Sequence, residues 1–170
     1  MFADEARFGR MNRPRPCWAP IGVRPEVASQ LIREYVYLYG VVSPKDGTCV
    51  YLIMPAADTE CFQIFMDILA NKYPKDFILL FVDGAGNHRS DDLVAPANIM
   101  LHPLPPYSPE LNPDEYLNND LKGGVNKTGL PDTKEALRSR IQSFMHRLLH
   151  LPEHVRNFFQ HPAVQYAAGP

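Results

Sequence analysis

Six consecutive apolar residues, Phe77 to Val82 (FILLFV), stop abruptly at Asp83-Gly84. A run that never alternates with polar residues predicts a central strand buried on both faces, and so a sheet with helices packed against it. The flanking segments agree. Tyr35 to Val42 (YVYLYGVV) and Thr48 to Met54 (TCVYLIM) are dense in β-branched and aromatic residues. The SPKDG between them supplies Pro44, Asp46 and Gly47, a hairpin turn. Thr59 to Tyr73 carries Phe62, Phe65, Met66, Leu69 and Tyr73 at helical spacing, with Thr59 as N-cap and Pro74 as the stop. Met1 to Gly9 reads as a short strand, Ser90 to Val94 as a short helical piece and Asn98 to Leu104 as a further strand. Helices follow from Pro113, over Thr133 to Leu149 with Asp132 and Glu135 placed for capping, and over Pro152 to Phe159. The order strands, helix, strand, helix, strand, helices predicts an α/β protein: a mixed sheet flanked by helices.

Length and composition narrow the class. A chain of 170 residues, 45% hydrophobic and 21% charged, fits one domain spanning residues 1–170. No apolar run reaches the roughly 18 residues of a membrane span, and no signal-peptide core opens the chain. Cys17, Cys49 and Cys61 are widely spaced with no CxxC pair, which reads as reduced core thiols in a cytoplasmic protein. Because the chain enters directly on a strand, it reads as a core domain separated from something upstream.

A net charge of −2 argues against a dedicated nucleic-acid binder. The charge is uneven, however. Arg7, Arg10, Arg13, Arg15 and Arg24 crowd the start, and Lys122, Lys127, Lys134, Arg138, Arg140 and Arg147 gather near the end. These ends either flank a phosphate-binding face or form two solvated surfaces.

Three carboxylates stand out. Asp4 lies inside the first strand, where a charge is costly unless it is solvated, paired or bound to a metal. An edge position facing water or the nearby Arg7 would also explain it. Asp83 ends the apolar strand, the end at which open α/β sheets place ligands, and the small residues GAGNH after it allow close approach to the backbone. Glu115 opens the helix behind LPPYSPELNP. Asn112 suits the N-cap, Pro113 the first position and Glu115 the third, so Glu115 reads equally as a capping-box acid and as a ligand. On a helical wheel Glu115, Asn119 and Lys122 share a polar face. Leu117 and Leu121 lie nearly opposite, and Asp114 sits close to that apolar side.

Together FADEARFG, Trp18-Ala19-Pro20, LFVDGAGNHRS and LPPYSPELNPDE resemble, in order and spacing, the DDE-type transposases. The similarity is to the bacterial insertion-sequence branch of the mariner-like superfamily, from Phe2 to about Lys122. The resemblance implies a ribonuclease-H-like fold with Asp4, Asp83 and Glu115 as catalytic acids and metal ligands. It implies two Mg²⁺ (or Mn²⁺) ions, cleavage of DNA at transposon ends and joining of the freed 3′-hydroxyl to target DNA by a homodimer. The proline-stiffened approach to Glu115 suits that role, because a ligand on a loose connection could not hold the required geometry.

Two positions depart from the family pattern: Asp114 replaces an apolar residue and Asn118 a tryptophan. An upstream helix-turn-helix that reads transposon ends is not in this sequence. His88 matches a family histidine near the site, read here as a hydrogen-bonded structural residue. Arg89, Asn119, Lys122 and Lys127 are candidate DNA or supporting contacts, with solvated surface charge as the default reading. The rival to an active enzyme is a non-catalytic transposase remnant acting as a binding or assembly domain.

Overall fold

The computed structural model describes residues 1–11, 17–26, 30–88, 90, 92–126 and 129–168. Five strands form one sheet: β1 (Phe2–Met11), β2 (Leu31–Val42), β3 (Cys49–Met54), β4 (Ile78–Val82) and β5 (Ile99–Pro103). Their order is β3-β2-β1-β4-β5. The β2–β3 hairpin is antiparallel, with Val42 opposite Cys49, and β1 is antiparallel to β2. On its other side β1 runs parallel to β4, which runs parallel to β5. The first strand, not the apolar run, is therefore the middle of the sheet.

Helix α1 (Thr59–Lys72) covers one face. Its Phe62, Phe65, Met66 and Leu69 pack with Ala3, Tyr39, Val41, Ile78, Leu80 and Val82. Helices α2 (Asp114–Asn126), α3 (Lys134–Leu148) and α4 (Pro152–Phe158) cover the other. There Leu117, Leu121, Leu137, Ile141, Met145, Val155 and Phe159 meet Phe2, Ala6, Phe8, Val36 and Leu38. Because successive strand residues point to opposite faces, Phe2, Ala6 and Phe8 serve one core and Ala3 the other.

Several local expectations are corrected. β4 is fully buried on one face only: Leu79 and the preceding Phe77 are exposed, because α2 and α3 pack over β1, β2 and β3. Asp58, not Thr59, caps α1, its Oδ1 accepting from Cys61 N at 2.8 Å. Thr133, not Asp132 or Glu135, caps α3 by accepting from Ala136 N. Both replacements have the short side-chain acceptor and extended backbone that a cap requires. Among the described residues of 90–94 there is a turn and no helix; a single 3₁₀ turn (Gly86–His88) comes earlier instead. Cys49 and Cys61 are buried thiols as expected, but Cys17 is exposed.

The β2–β3 turn is locked onto α4. Gly47 has φ +69°, and a Cβ added there would lie 2.1 Å from the Pro152 carbonyl oxygen. Gly47→Ala should cost about 1–3 kcal/mol through strain and overpacking against backbone that cannot yield. Urea denaturation with an unchanged midpoint would disprove it.

Candidate active site

The parallel register pairs Phe2 of β1 with Phe81 of β4. Two residues further along each chain come Asp4 and Asp83, so the pairing sets the two acids level with each other. Asp83 follows the last residue of β4, and its Oδ1 accepts from Ala85 N at 2.9 Å, which shapes the turn. Glu115 sits in the first turn of α2. Asp83 and Glu115 both line a cleft of about 360 Å³, walled by the proline-rich segment from Leu104 to Pro109. Asp4 is not in that lining. It lies behind it, close enough for the charges of Glu115 and Asp83 to act on it.

Asp4 is not the edge-strand acid that water or Arg7 would satisfy. Its strand is central, and Arg7 lies over the Tyr35 ring at 4.9 Å. Its partner is Asn118, whose Nδ2 donates to Asp4 Oδ2 at 2.8 Å. Burial is the largest influence on Asp4, followed by the charges of Glu115 and Glu5. Together with Asp83 they push its carboxyl up to about 7 against the opposing hydrogen bond from the Glu5 backbone.

The capping-box reading of Glu115 does not hold, since the Asn112 backbone N–H donates to Pro109 O. Asn112 starts the helix by itself. Its Oδ1 accepts from Asp114 N at 3.1 Å, and its Nδ2 reaches across to Ala3 O at 2.9 Å. That leaves the Glu115 side chain available to the cleft it lines. Of its wheel companions, Asn119 is exposed and Lys122 half-buried. Arg89 and Lys127 lie outside the described residues.

His88 is the hydrogen-bonded histidine the sequence suggested. Its ring packs on Phe62 of α1. Nε2 meets Glu5 Oε1 at 2.7 Å and Nδ1 meets Asp83 Oδ1 at 2.8 Å. Burial alone would lower its pKa, but the hydrogen bonds and charges of Asp83 and Glu5 outweigh it and raise His88 to about 10. At neutral pH it is therefore an imidazolium donating from both nitrogens. Among the described residues, Glu5, Asp83 and His88 are the one trio of potential ligands whose donor atoms lie within 4.8 Å of one another. With both ring nitrogens given to carboxylates, that trio serves first as a brace for Asp83.

Asp114 is fully buried, and neither of its carboxylate oxygens has a hydrogen-bond partner among the described residues. Asn118 Oδ1, one helical turn on, is likewise unpartnered. Burial, reinforced by the charges of Asp4, Glu115 and Glu5, pushes the Asp114 carboxyl well above its ordinary value of 3.8. Gly40, opposite Asp4 on β2, makes room for it: a Cβ there would lie 2.9 Å from Asp114 Oδ2. Glu5 and Asn118 were not identified as site residues from the sequence. Asn118 could have been found as a polar residue on the Leu117/Leu121 side of the helix.

Asp4, Asp83 and Glu115 carry hard carboxylate oxygens, the donor type a divalent cation such as Mg²⁺ prefers, and the charges of Glu115 and Asp83 act on Asp4 alongside its burial. A mixed five-stranded sheet with helices on both faces and acids level with each other on adjoining parallel strands defines a ribonuclease-H-like fold. A family model described as DDE superfamily endonuclease matches residues 1–138, and the chain belongs to that family. The uncharacterized protein y4pE/y4sA of Sinorhizobium fredii (strain NBRC 101917 / NGR234) is 38% identical over 82 residues, 48% of this chain and 61% of that protein. Among solved structures, the fold matches a Mos1 transposase paired-end complex with the left transposon end at TM-score 0.68 and 15% identity, covering 98% of this chain and 55% of that one. It also matches a Mos1 mariner paired-end complex with Mn, at TM-score 0.66 and 14% identity, over 99% of this chain and 55% of that one. The chain thus spans less than two thirds of the relative and about half the length of these transposases. Among the described residues no helix is long and apolar enough to cross a membrane.

Proposed function

We propose that this chain is the catalytic domain of a transposase, cutting DNA phosphodiesters at transposon ends and joining the freed 3′-hydroxyl to target DNA. What supports the reading is that three acids from separate elements lie near one end of the same cleft, two of them lining it. β1 and β4 run in parallel register to bring Asp4 level with Asp83, and α2 sets Glu115 on the cleft that Asp83 lines. Asp4, Asp83 and Glu115 would hold two Mg²⁺ or Mn²⁺ ions, in keeping with the Mos1 complexes solved with Mn and with Mg. When bound, such ions activate the attacking water or hydroxyl and stabilise the leaving oxygen of an in-line displacement.

The chain's own residues supply the frame. His88 fixes Asp83 through Oδ1, Asn118 fixes Asp4 through Oδ2, and the proline-rich wall limits where Glu115 can move. Lys122 and Asn119, on the Glu115 side of α2, would meet a DNA backbone, with Arg89 and Lys127 as further candidates by sequence. The working protein is a homodimer in its DNA complex, acting in the cytoplasm. Asn118, a departure from the family pattern, donates to Asp4, which supports the catalytic reading over a non-catalytic remnant.

The test is Mn²⁺-dependent nicking of a supercoiled plasmid carrying the element's ends. The full chain should nick it, EDTA should stop the reaction, and Glu115→Gln should slow it at least about 100-fold, the scale for losing one transition-state contact. Nicking that is unaffected by EDTA or by Glu115→Gln would overturn the proposal.

A further inference from the structure

We infer that Asn118 is a positioning residue for Asp4, and that with Asn112 it forms a two-point amide clamp setting the distance between Asp4 and Glu115. The inference rests on the metal-site reading above. α2 is pinned to consecutive residues of β1 from either side of Glu115. Ahead of Glu115, Asn112 Nδ2 donates to the Ala3 carbonyl at 2.9 Å. One turn after Asp114, Asn118 Nδ2 donates to Asp4 Oδ2 at 2.8 Å. Both asparagines are 1% exposed, so neither bond competes with water.

The chemistry of the amide suits the task. A carboxylate has about four acceptor positions on its two oxygens, and a single donor on Oδ2 fixes the torsion while Oδ1 can still serve a ligand. A lysine or arginine in that place would also satisfy Oδ2, but its charge would offset the negative charge a cation requires. An amide donates without neutralising. As a purely structural choice Asn118 is poor, because its Oδ1 is left without a partner on a buried helix face where Leu117, Leu121 and Val125 lie beside the equally unpartnered Asp114. An apolar side chain would fill that position without an unsatisfied acceptor.

This asymmetry makes the inference testable on the full chain. Asn118→Leu, close in volume but without a donor, should leave the urea midpoint at or above the wild-type value. The same variant should lower Mn²⁺ affinity by about 10–100-fold in calorimetric titration, the range for losing a residue that orients a ligand. A purely structural residue would move stability and affinity together. If the leucine variant does not fold, Asn118→Ala, which cannot clash, is held to the same affinity loss. Wild-type Mn²⁺ affinity in a folded variant overturns the clamp and leaves the metal site standing. Absence of Mn²⁺ binding by the wild-type chain overturns the metal-site reading, and the clamp with it.

Discussion

Asp83→Asn should lower the Mn²⁺ affinity of the full chain by more than about 100-fold, beyond the loss expected for a residue that only orients a ligand. The substitution keeps the size of the side chain and an oxygen that can accept from Ala85 N, so the turn after β4 should survive. What it removes is the formal charge at the mouth of the cleft, where Asp83 is the most exposed of the groups bonded to His88. Affinity for a hard divalent cation depends on that charge. Asp4→Asn should behave in the same direction. Titration calorimetry at pH 7.5 on wild type and variant decides it, and an affinity within threefold of wild type would exclude Asp83 as a ligand.

In the absence of metal, the protein should become less stable as pH rises from 4 to 10. The sign follows mainly from Asp4 and His88, whose folded pKa lies above the unfolded one. Asp114, also raised, acts in the same direction, and the Met1 amino group, lowered by burial from 8.0 to about 6, opposes it between those values. Asp4 is raised from 3.8 to about 7, so the stability it contributes is full below pH 3.8 and lost as pH climbs through 7. His88 is raised from 6.5 to about 10, so its contribution is full below pH 6.5 and lost as pH climbs through 10. In both windows Asp4 and His88 hold more protons in the folded chain than in the unfolded one, so their contribution to unfolding free energy falls with pH. Between pH 4 and 7 the Asp4 part should be on the order of 3 kcal/mol. Asp46 and Asp58, whose pKa values are lowered, act only below about pH 4 and oppose this trend there.

Urea unfolding in EDTA at pH 5, 7 and 9 tests the prediction, and a rise in stability from pH 5 to 7 would refute it. His88→Phe should flatten the upper window. Mn²⁺ at about 100 times its dissociation constant should return about 2.7 kcal/mol at pH 7. EDTA should remove that gain.

Much of the fold was legible because it is local. Periodicities near 2 and 3.6 mark strands and helices wherever they fall, and the helix stripe Leu137, Ile141, Met145 and Leu148 is buried as its spacing requires. The positions of Asp83 at a strand end and of Glu115 in a first helical turn were readable for the same reason. The cap of α1 was misplaced by one residue, since Asp58 and Thr59 both carry a suitable oxygen and only the backbone angles choose between them.

Other features depend on which elements meet. The run Phe77 to Val82 looks equally apolar on both sides, yet only one side is sealed, because the helices of the second face pack over β1, β2 and β3. Arg10, one of the arginines crowding the start, pairs with Glu34 and bonds carbonyls at Pro131 and Asp132, more than a hundred residues away. His88 reaches Glu5 and Asn118 reaches Asp4 across 83 and 114 residues of sequence. A side chain's composition and periodicity carry no information about partners that far along the chain. The amino-acid pattern was thus enough to single out Asp4, Asp83 and Glu115 and the elements that carry them. Their supports, an imidazolium beneath Asp83 and an amide beside Asp4, exist only once the sheet and α2 have closed over one another. Buried polar groups select partners by distance and desolvation, which are properties of the packed chain.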